Sequence, residues 1–555
     1  MRRRPATARL LATLLALAVV AAACGDDSSG EDVTDTDVTS TTSAPPDEPE
    51  PESEPEPEPE PDPEPDAEPQ APMIGEPIST PNPTVSDPPD VGSTFYQGIG
   101  FDLSLVGYEQ QEYFFNGTAR SFQPVADLTP DGRWATEVGP DEADYTSRML
   151  VIRPSDPADF NGTVFMEWFN VSGGLDAAPN LTMSHVQQFR EGAVYVGVSA
   201  QFRGIEQAPG TIDIGFPIFL KGIQPERYAS LSHPGDSFSY DIFNQAAQAV
   251  RSPEGIDPLD GLGVEQIIAT GESQSAFRLT TYVNGVDPIV QLFDGFMIHS
   301  RGGGSADLRQ TPEDPAPTPA QVLIREDVRV PVMTFQTDTD LLLLGWVPDR
   351  QPDGDNIALW EVAGTAHGDL YSIALDRGPQ DVGDSPDIAE VIEVSSPIPG
   401  IMDCSAPINA GPQHYVMNAA IHALIRWTAG GERPPTAPLA EVAEVEGDPD
   451  ATDREATHEP ITDEFGNILG GVRTAWVDVP IATLTGFPPE GDTFCGLFGT
   501  TALFDEATLA ELYPDKQTYV DLVRASLEQS VADGFLMQAD ADLILQHAEE
   551  NDIAR

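Results

Sequence analysis

Positive charge is what this 555-residue sequence has least of. Lysine occurs only at Lys221 and Lys516, and 27 Lys and Arg stand against 92 Asp and Glu, a net charge of −65. A nucleic-acid partner needs a basic face to neutralise phosphates, so none is expected. The acidity is spread along the chain: residues 25–92 hold 21 acids and no base, and the remainder stays acidic without them. Such a solvated surface favours solubility and repels anionic polymers. Cysteine is also scarce, with only Cys24, Cys404 and Cys495. None has a close Cys or His partner at ligand spacing, so no metal site is expected. No run reaches 18 uninterrupted apolar residues, so no membrane-spanning helix is expected. No phosphate-loop lysine follows a glycine-rich turn, and no G-x-G-x-x-G opens a helix, so no cofactor is expected.

What is present begins with MRRRPATARLLATLLALAVVAAAC. Arg2, Arg3, Arg4 and Arg9 precede an apolar stretch, Leu10 to Ala23, too short to span a bilayer comfortably. It ends in Ala21-Ala22-Ala23-Cys24-Gly25, which resembles a bacterial lipobox: small residues that a peptidase can seat, then a cysteine that takes lipid. The competing reading is an ordinary A-x-A signal cleavage, with Cys24 incidental. Residues 1–23 are therefore expected to be a signal peptide, with the mature protein outside the cytoplasm on a lipid anchor at Cys24. If Cys24 is lipidated, Cys404 and Cys495 remain as an even pair in an exported protein, which reads as a disulfide.

Residues 24–92 read as an acidic stalk. Its centre, PPDEPEPESEPEPEPEPDPEPDAEPQAP, combines proline with self-repelling glutamates. At about 3.1 Å per residue in a polyproline-II conformation it would reach roughly 80–90 Å. The globular part is expected from about residue 93 to 555, with a C-terminal extension from about 437. Strand-like segments are Tyr113–Ser121, Ser147–Arg153, Thr163–Phe169, Ala193–Ser199, Gln266–Thr270, Gly295–His299, Val330–Phe335 and Ile357–Val362. The later ones are short, apolar and β-branched, as buried parallel strands are. Helical periodicity is strongest at Ser237–Arg251, Gln274–Val283 and Gln413–Ala429. This alternation predicts an α/β fold: a mostly parallel central sheet flanked by helices. The Pro- and Gly-rich connections Arg203–Asp236 and Arg301–Asp327 fit cap-like excursions over the sheet, where pockets are built.

Between a strand-like and a helix-like segment stands Gly271-Glu272-Ser273-Gln274-Ser275. A serine exposed on a sharp strand-to-helix turn needs small neighbours two residues away on either side, here Gly271 and Ser275. The bland alternative is a helix-capping serine. A serine hydroxyl needs a base, and the base an orienting acid. His367, in WEVAGTAHGDLY just past a candidate strand, is the best-placed base downstream of Ser273. His422 falls inside an amphipathic helix and reads as structural, and His299 ends the strand after the elbow, where it could line the site. The acid should follow Val330–Phe335, and two candidates do: Asp340, favoured by reach, and Asp338. On an extended segment both would face the same way, so direction cannot separate them. The tetrahedral oxyanion needs N–H donors. Gln274 would supply one, and the loop EWFNVSGG the other, through Asn170 or Val171.

FMEWFNVSGG, GESQSA, VPVMTFQTDTD, WEVAGTAHGDLY and the later CSAPINAGPQHYVMNAAIHALIRWTAGGERPP together resemble the bacterial exported alpha/beta hydrolase domain family of serine hydrolases. The resemblance covers about residues 93–550 and implies the α/β-hydrolase fold, the Ser-His-Asp set and the hydrolase class, but no substrate. The expected reaction is hydrolysis of a carboxylic ester, small or polymeric, through an acyl-enzyme. Activity should rise through neutral pH as His367 loses its proton. A peptidase, a lactonase or a polyester depolymerase would use the same residues, and a non-catalytic surface adhesin could keep the fold. Oligomeric state is not legible.

Overall fold

The computed structural model describes residues 74–208, 216–373, 389–399, 402–444, 458–487 and 495–554. Cys24 and most of the expected stalk lie outside the described residues. Nine strands form one sheet: β1 (Thr84–Ser86), β2 (Tyr108–Pro124), β3 (Thr136–Pro154), β4 (Thr163–Trp168), β5 (Val194–Val198), β6 (Gln266–Glu272), β7 (Gly295–His299), β8 (Val332–Thr337) and β9 (Ile357–Val362). Their order is β1-β2-β3-β5-β4-β6-β7-β8-β9. β1, β2, β3 and β5 pair antiparallel in succession, while β5, β4, β6, β7, β8 and β9 run parallel.

The globular part starts before Gly92, contrary to the boundary expected from composition. Thr84–Ser86 add an edge strand to β2, and only Val85 of the three is buried. Three residues with one apolar side chain, set among prolines, give no periodic signal.

The principal helices are α1 (Pro179–Arg190), α2 (Ser239–Arg251), α3 (Gln274–Thr281), α4 (Asp338–Leu342), α5 (Gln413–Thr428), α6 (Lys516–Ala532) and α7 (Gln538–Glu550). Alternation along the parallel strands divides the core between the sheet's two faces. Ile267 and Ala269 of β6 pack with Phe243, Ala246 and Val250 of α2 and with Leu279 of α3. Ile268, between them, packs on the opposite face with Val416, Ala420 and Leu424 of α5. α6 and α7 form a further cluster with Tyr513 and Trp476, so the C-terminal extension has apolar packing of its own. Among the described residues no helix is long and apolar enough to cross a membrane.

Cys404 and Cys495 are disulfide-bonded across 91 residues of sequence. Closing a loop of that length corresponds to about 4–5 kcal/mol in the chain-entropy treatment. Just past Cys495, Leu497 O accepts from the Gly368 N–H and Phe498 O from the Asn409 N–H. The bridge therefore holds extension residues against the loop that carries His367.

Candidate active site

The carboxyl ends of β4, β6, β7, β8 and β9 lie side by side, and each delivers one of the residues singled out above. In open parallel sheets ligands bind along this edge, where connections leave in opposite directions.

β6 runs to Glu272 and α3 starts at Gln274, so Ser273 is the entire turn. Its backbone is at φ 55°, ψ −120°, a region L-residues rarely occupy. Holding it there costs about 1–3 kcal/mol, supplied by the surrounding contacts. Ser273 N–H donates to His299 O, and Ser273 O accepts from the Ala276 and Phe277 N–H groups. A Cβ at position 271 would lie 2.8 Å from Ser275 O, so only glycine fits there. Ser275 does more than stay small. Its hydroxyl accepts from Glu272 N–H at 2.9 Å and donates to Glu272 O at 2.9 Å, stapling the turn. Ser273 Oγ makes no hydrogen bond among the described residues.

His367 follows β9. Its Nδ1 lies 2.7 Å from Asp340 Oδ1, and its backbone N–H donates to Thr339 Oγ1. Asp340 Oδ2 in turn accepts from the N–H and hydroxyl of Thr337 at 2.7 and 2.8 Å. Thr337 and Asp340 form a reciprocal capping box that begins α4 at Asp338. The helix start separates the two aspartates, which would have shared a face on an extended chain. Asp340 points back to the cap and the imidazole, whereas Asp338 accepts from Gly364 N–H and leaves Oδ1 buried without a partner. Burial, reinforced by Asp340 and Glu361 nearby, holds the Asp338 carboxyl well above the usual range.

Nε2 of His367 lies 3.3 Å from Oε1 of Glu272, the residue directly before Ser273. The structure thus brings the imidazole against the elbow, on the glutamate rather than on the serine hydroxyl. Burial pushes Glu272 up to about 7, although His367 opposes this; Asp340 adds to the rise. For His367, burial pulls the pKa down, but Glu272 and Asp340 outweigh it and hold it above its ordinary value. Sequence reasoning passed over Glu272. The available signal was a carboxylate directly before the serine of the turn.

Asn170 is occupied. Its backbone N–H donates to Ala177 O, and its amide donates to Glu272 O and Oε2. It therefore has no free backbone donor, unlike Val171 and Gln274, whose N–H groups have no acceptor among the described residues. His299 lines the site and is pushed down to about 3 by burial, so it stays neutral. His422 lies away from it, with Nδ1 2.5 Å from Glu191.

Beside Glu272 and His367 opens a pocket. Its walls include Ala178, Met183, Ile373, Leu497 and Phe498, with no Lys or Arg. Among the described residues no group of His, Cys, Asp and Glu could hold a metal ion.

The mostly parallel sheet flanked by helices is the α/β-hydrolase fold. The chain belongs to the alpha/beta hydrolase domain family, whose model matches residues 76–546. No curated protein matches it. Among solved structures it is similar to a glucuronoyl esterase from Solibacter usitatus, at 11% identity and TM-score 0.27, over 52% of this chain and 82% of that one. It is also similar to a Rhizomucor miehei esterase at 12% identity and TM-score 0.24, over 48% of this chain and 79% of that one. A thermostable esterase from Pseudomonas putida ECU1011 matches at 12% identity and TM-score 0.22, over 43% of this chain and 66% of that one.

Proposed function

We propose that the chain is a serine hydrolase that cleaves carboxylic esters, with Ser273 as nucleophile, His367 as base and Asp340 as orienting acid. The observation that carries this reading is the 2.7 Å contact between Asp340 Oδ1 and His367 Nδ1. With Nδ1–H donated to Asp340, Nε2 is left as the proton acceptor, on the side where β6 ends in Ser273.

In this reading Ser273 Oγ attacks the ester carbonyl as its proton passes to Nε2 of His367. The tetrahedral oxyanion is held by the N–H groups of Gln274 and Val171, and each such donor supports about 3–4 kcal/mol of barrier lowering. Collapse breaks the bond to the alkoxide, which takes the proton from Nε2. Water, deprotonated by the same nitrogen, then releases the acid and restores the serine. The apolar walls with no cation suit an uncharged acyl group better than an anionic one. Residues 1–24 support export and lipidation at Cys24, which would display the enzyme at the cell surface, on the outer face of the cytoplasmic membrane. Labelled fatty-acid incorporation lost in Cys24→Ala would test that part.

The activity is tested with a panel of p-nitrophenyl acyl esters. Turnover of neutral aliphatic esters that falls by about 10^4-fold or more in Ser273→Ala is expected. Equal rates in the two proteins would remove Ser273 from the chemistry.

A further inference from the structure

His367 carries a carboxylate on each nitrogen: Asp340 at Nδ1 and Glu272 at Nε2. The first is what orientation of a base requires. The second occupies the nitrogen that must receive the serine proton. We propose that Glu272 competes with Ser273 for Nε2 of His367 and thereby sets the pH range over which the serine can be activated; this rests on the serine-hydrolase reading above.

The argument is a proton count. Nε2 and Oε1 are 3.3 Å apart, and neither a bare lone pair nor a bare carboxylate favours that approach without a proton between them. With Nδ1–H committed to Asp340, the shared proton makes either an imidazolium beside a carboxylate or an imidazole beside a carboxylic acid. In both forms the lone pair of Nε2 is taken, and Ser273 Oγ has no base. Loss of that one proton leaves a free lone pair beside an anion that repels it, and the imidazole becomes available to the serine. Once Ser273 has given up its proton, the same carboxylate faces an imidazolium and stabilises it. Glu272 is thus a positioning residue that acts through His367.

The surroundings fit. Asn170, from the loop after β4, donates its amide to Glu272 Oε2 and fixes the carboxylate. Asp340 of α4 adds negative charge, Glu167 of β4 is itself pushed up to about 8 by burial, and His299 of β7 stays neutral. Among the described residues no Lys or Arg reaches Glu272 within ion-pair distance, so His367 is its one cationic partner. The two groups titrate as a pair, and the pair rather than either residue sets the activity profile.

The test is the pH dependence of kcat/KM for p-nitrophenyl acetate, from pH 5 to 10, on the full chain and on Glu272→Gln and Glu272→Ala. Gln can still donate to Nε2 and Ala cannot, but both remove the charge. The wild-type inflection is expected above the ordinary histidine value of about 6.5. In both variants it should move to lower pH, by about 1–3 units for loss of an adjacent opposite charge. An unchanged inflection in folded variants overturns the proposal, and so does a wild-type inflection at or below about 6.5. Should neither variant fold, the His367 titration followed by NMR in Ser273→Ala decides it by the same threshold. That titration also separates the two readings, because a chain without esterase activity still reports whether Glu272 and His367 share a proton.

Discussion

Two regions bury carboxylates with opposite consequences. In the antiparallel half of the sheet, Glu112 of β2 and Asp176 close around Arg148 of β3, each at 2.8 Å, and Arg227 adds a second cation to Glu112. Burial would raise Glu112, but the two guanidiniums overcome it and hold its carboxyl below the usual range. Along the carboxyl edge of the parallel half, Glu167, Glu272 and Asp338 are as deeply buried, and among the described residues none of them has an arginine within ion-pair distance. Burial pushes Glu167 up to about 8, Glu272 up to about 7, and Asp338 well above its ordinary value. Compensated charge is scaffold. Carboxyls without such compensation lie along the strand ends that carry the site, and one of them, Glu272, meets the His367 imidazole, where groups that exchange protons near neutrality are useful.

The comparison can be broken first at Asp340. Asp340→Asn keeps the shape but lets Nδ1 lose its anionic partner, and kcat should fall by about 10^3–10^4-fold in steady-state ester hydrolysis. A variant within tenfold of wild type would mean that Asp340 does not orient the base. Next comes the scaffold. Arg148→Met leaves Glu112 and Asp176 buried without their shared cation, and about 3–5 kcal/mol of stability should be lost in denaturant unfolding. A loss under about 1 kcal/mol would show the network to be no more than surface-like. The smallest effect is expected at Asp338. A carboxyl that keeps its proton resembles an amide, so Asp338→Asn should stay within about 1 kcal/mol of wild type at neutral pH. A larger loss would show that it is charged, and that the two regions do not differ as described.

The sheet was largely legible in the sequence because buried parallel strands are short apolar runs. Each of Thr163–Phe169, Gln266–Thr270, Gly295–His299 and Ile357–Val362 overlaps an observed strand. The elbow was legible because sterics limit positions 271 and 275 to small residues, although the staple made by the Ser275 hydroxyl was not. On the premise of an extended chain, reach favoured Asp340 but side-chain direction could not separate it from Asp338. The pattern Thr337-x-x-Asp340 held the answer, since a capping box starts a helix and turns its third residue back to the cap. The contact of Glu272 with His367 joins residues 95 positions apart in sequence, and local pattern carries no trace of it. The same holds for Leu497 and Phe498, which a disulfide and two backbone hydrogen bonds bring to the pocket wall.

The most direct measurement is fluorophosphonate labelling of the full chain, with the adduct mapped by peptide mass spectrometry. One phosphonyl group on Ser273, absent from Ser273→Ala and formed faster as pH rises past neutrality, is the predicted result. No adduct on an intact, folded chain, or an adduct on another residue that survives Ser273→Ala, would contradict the account.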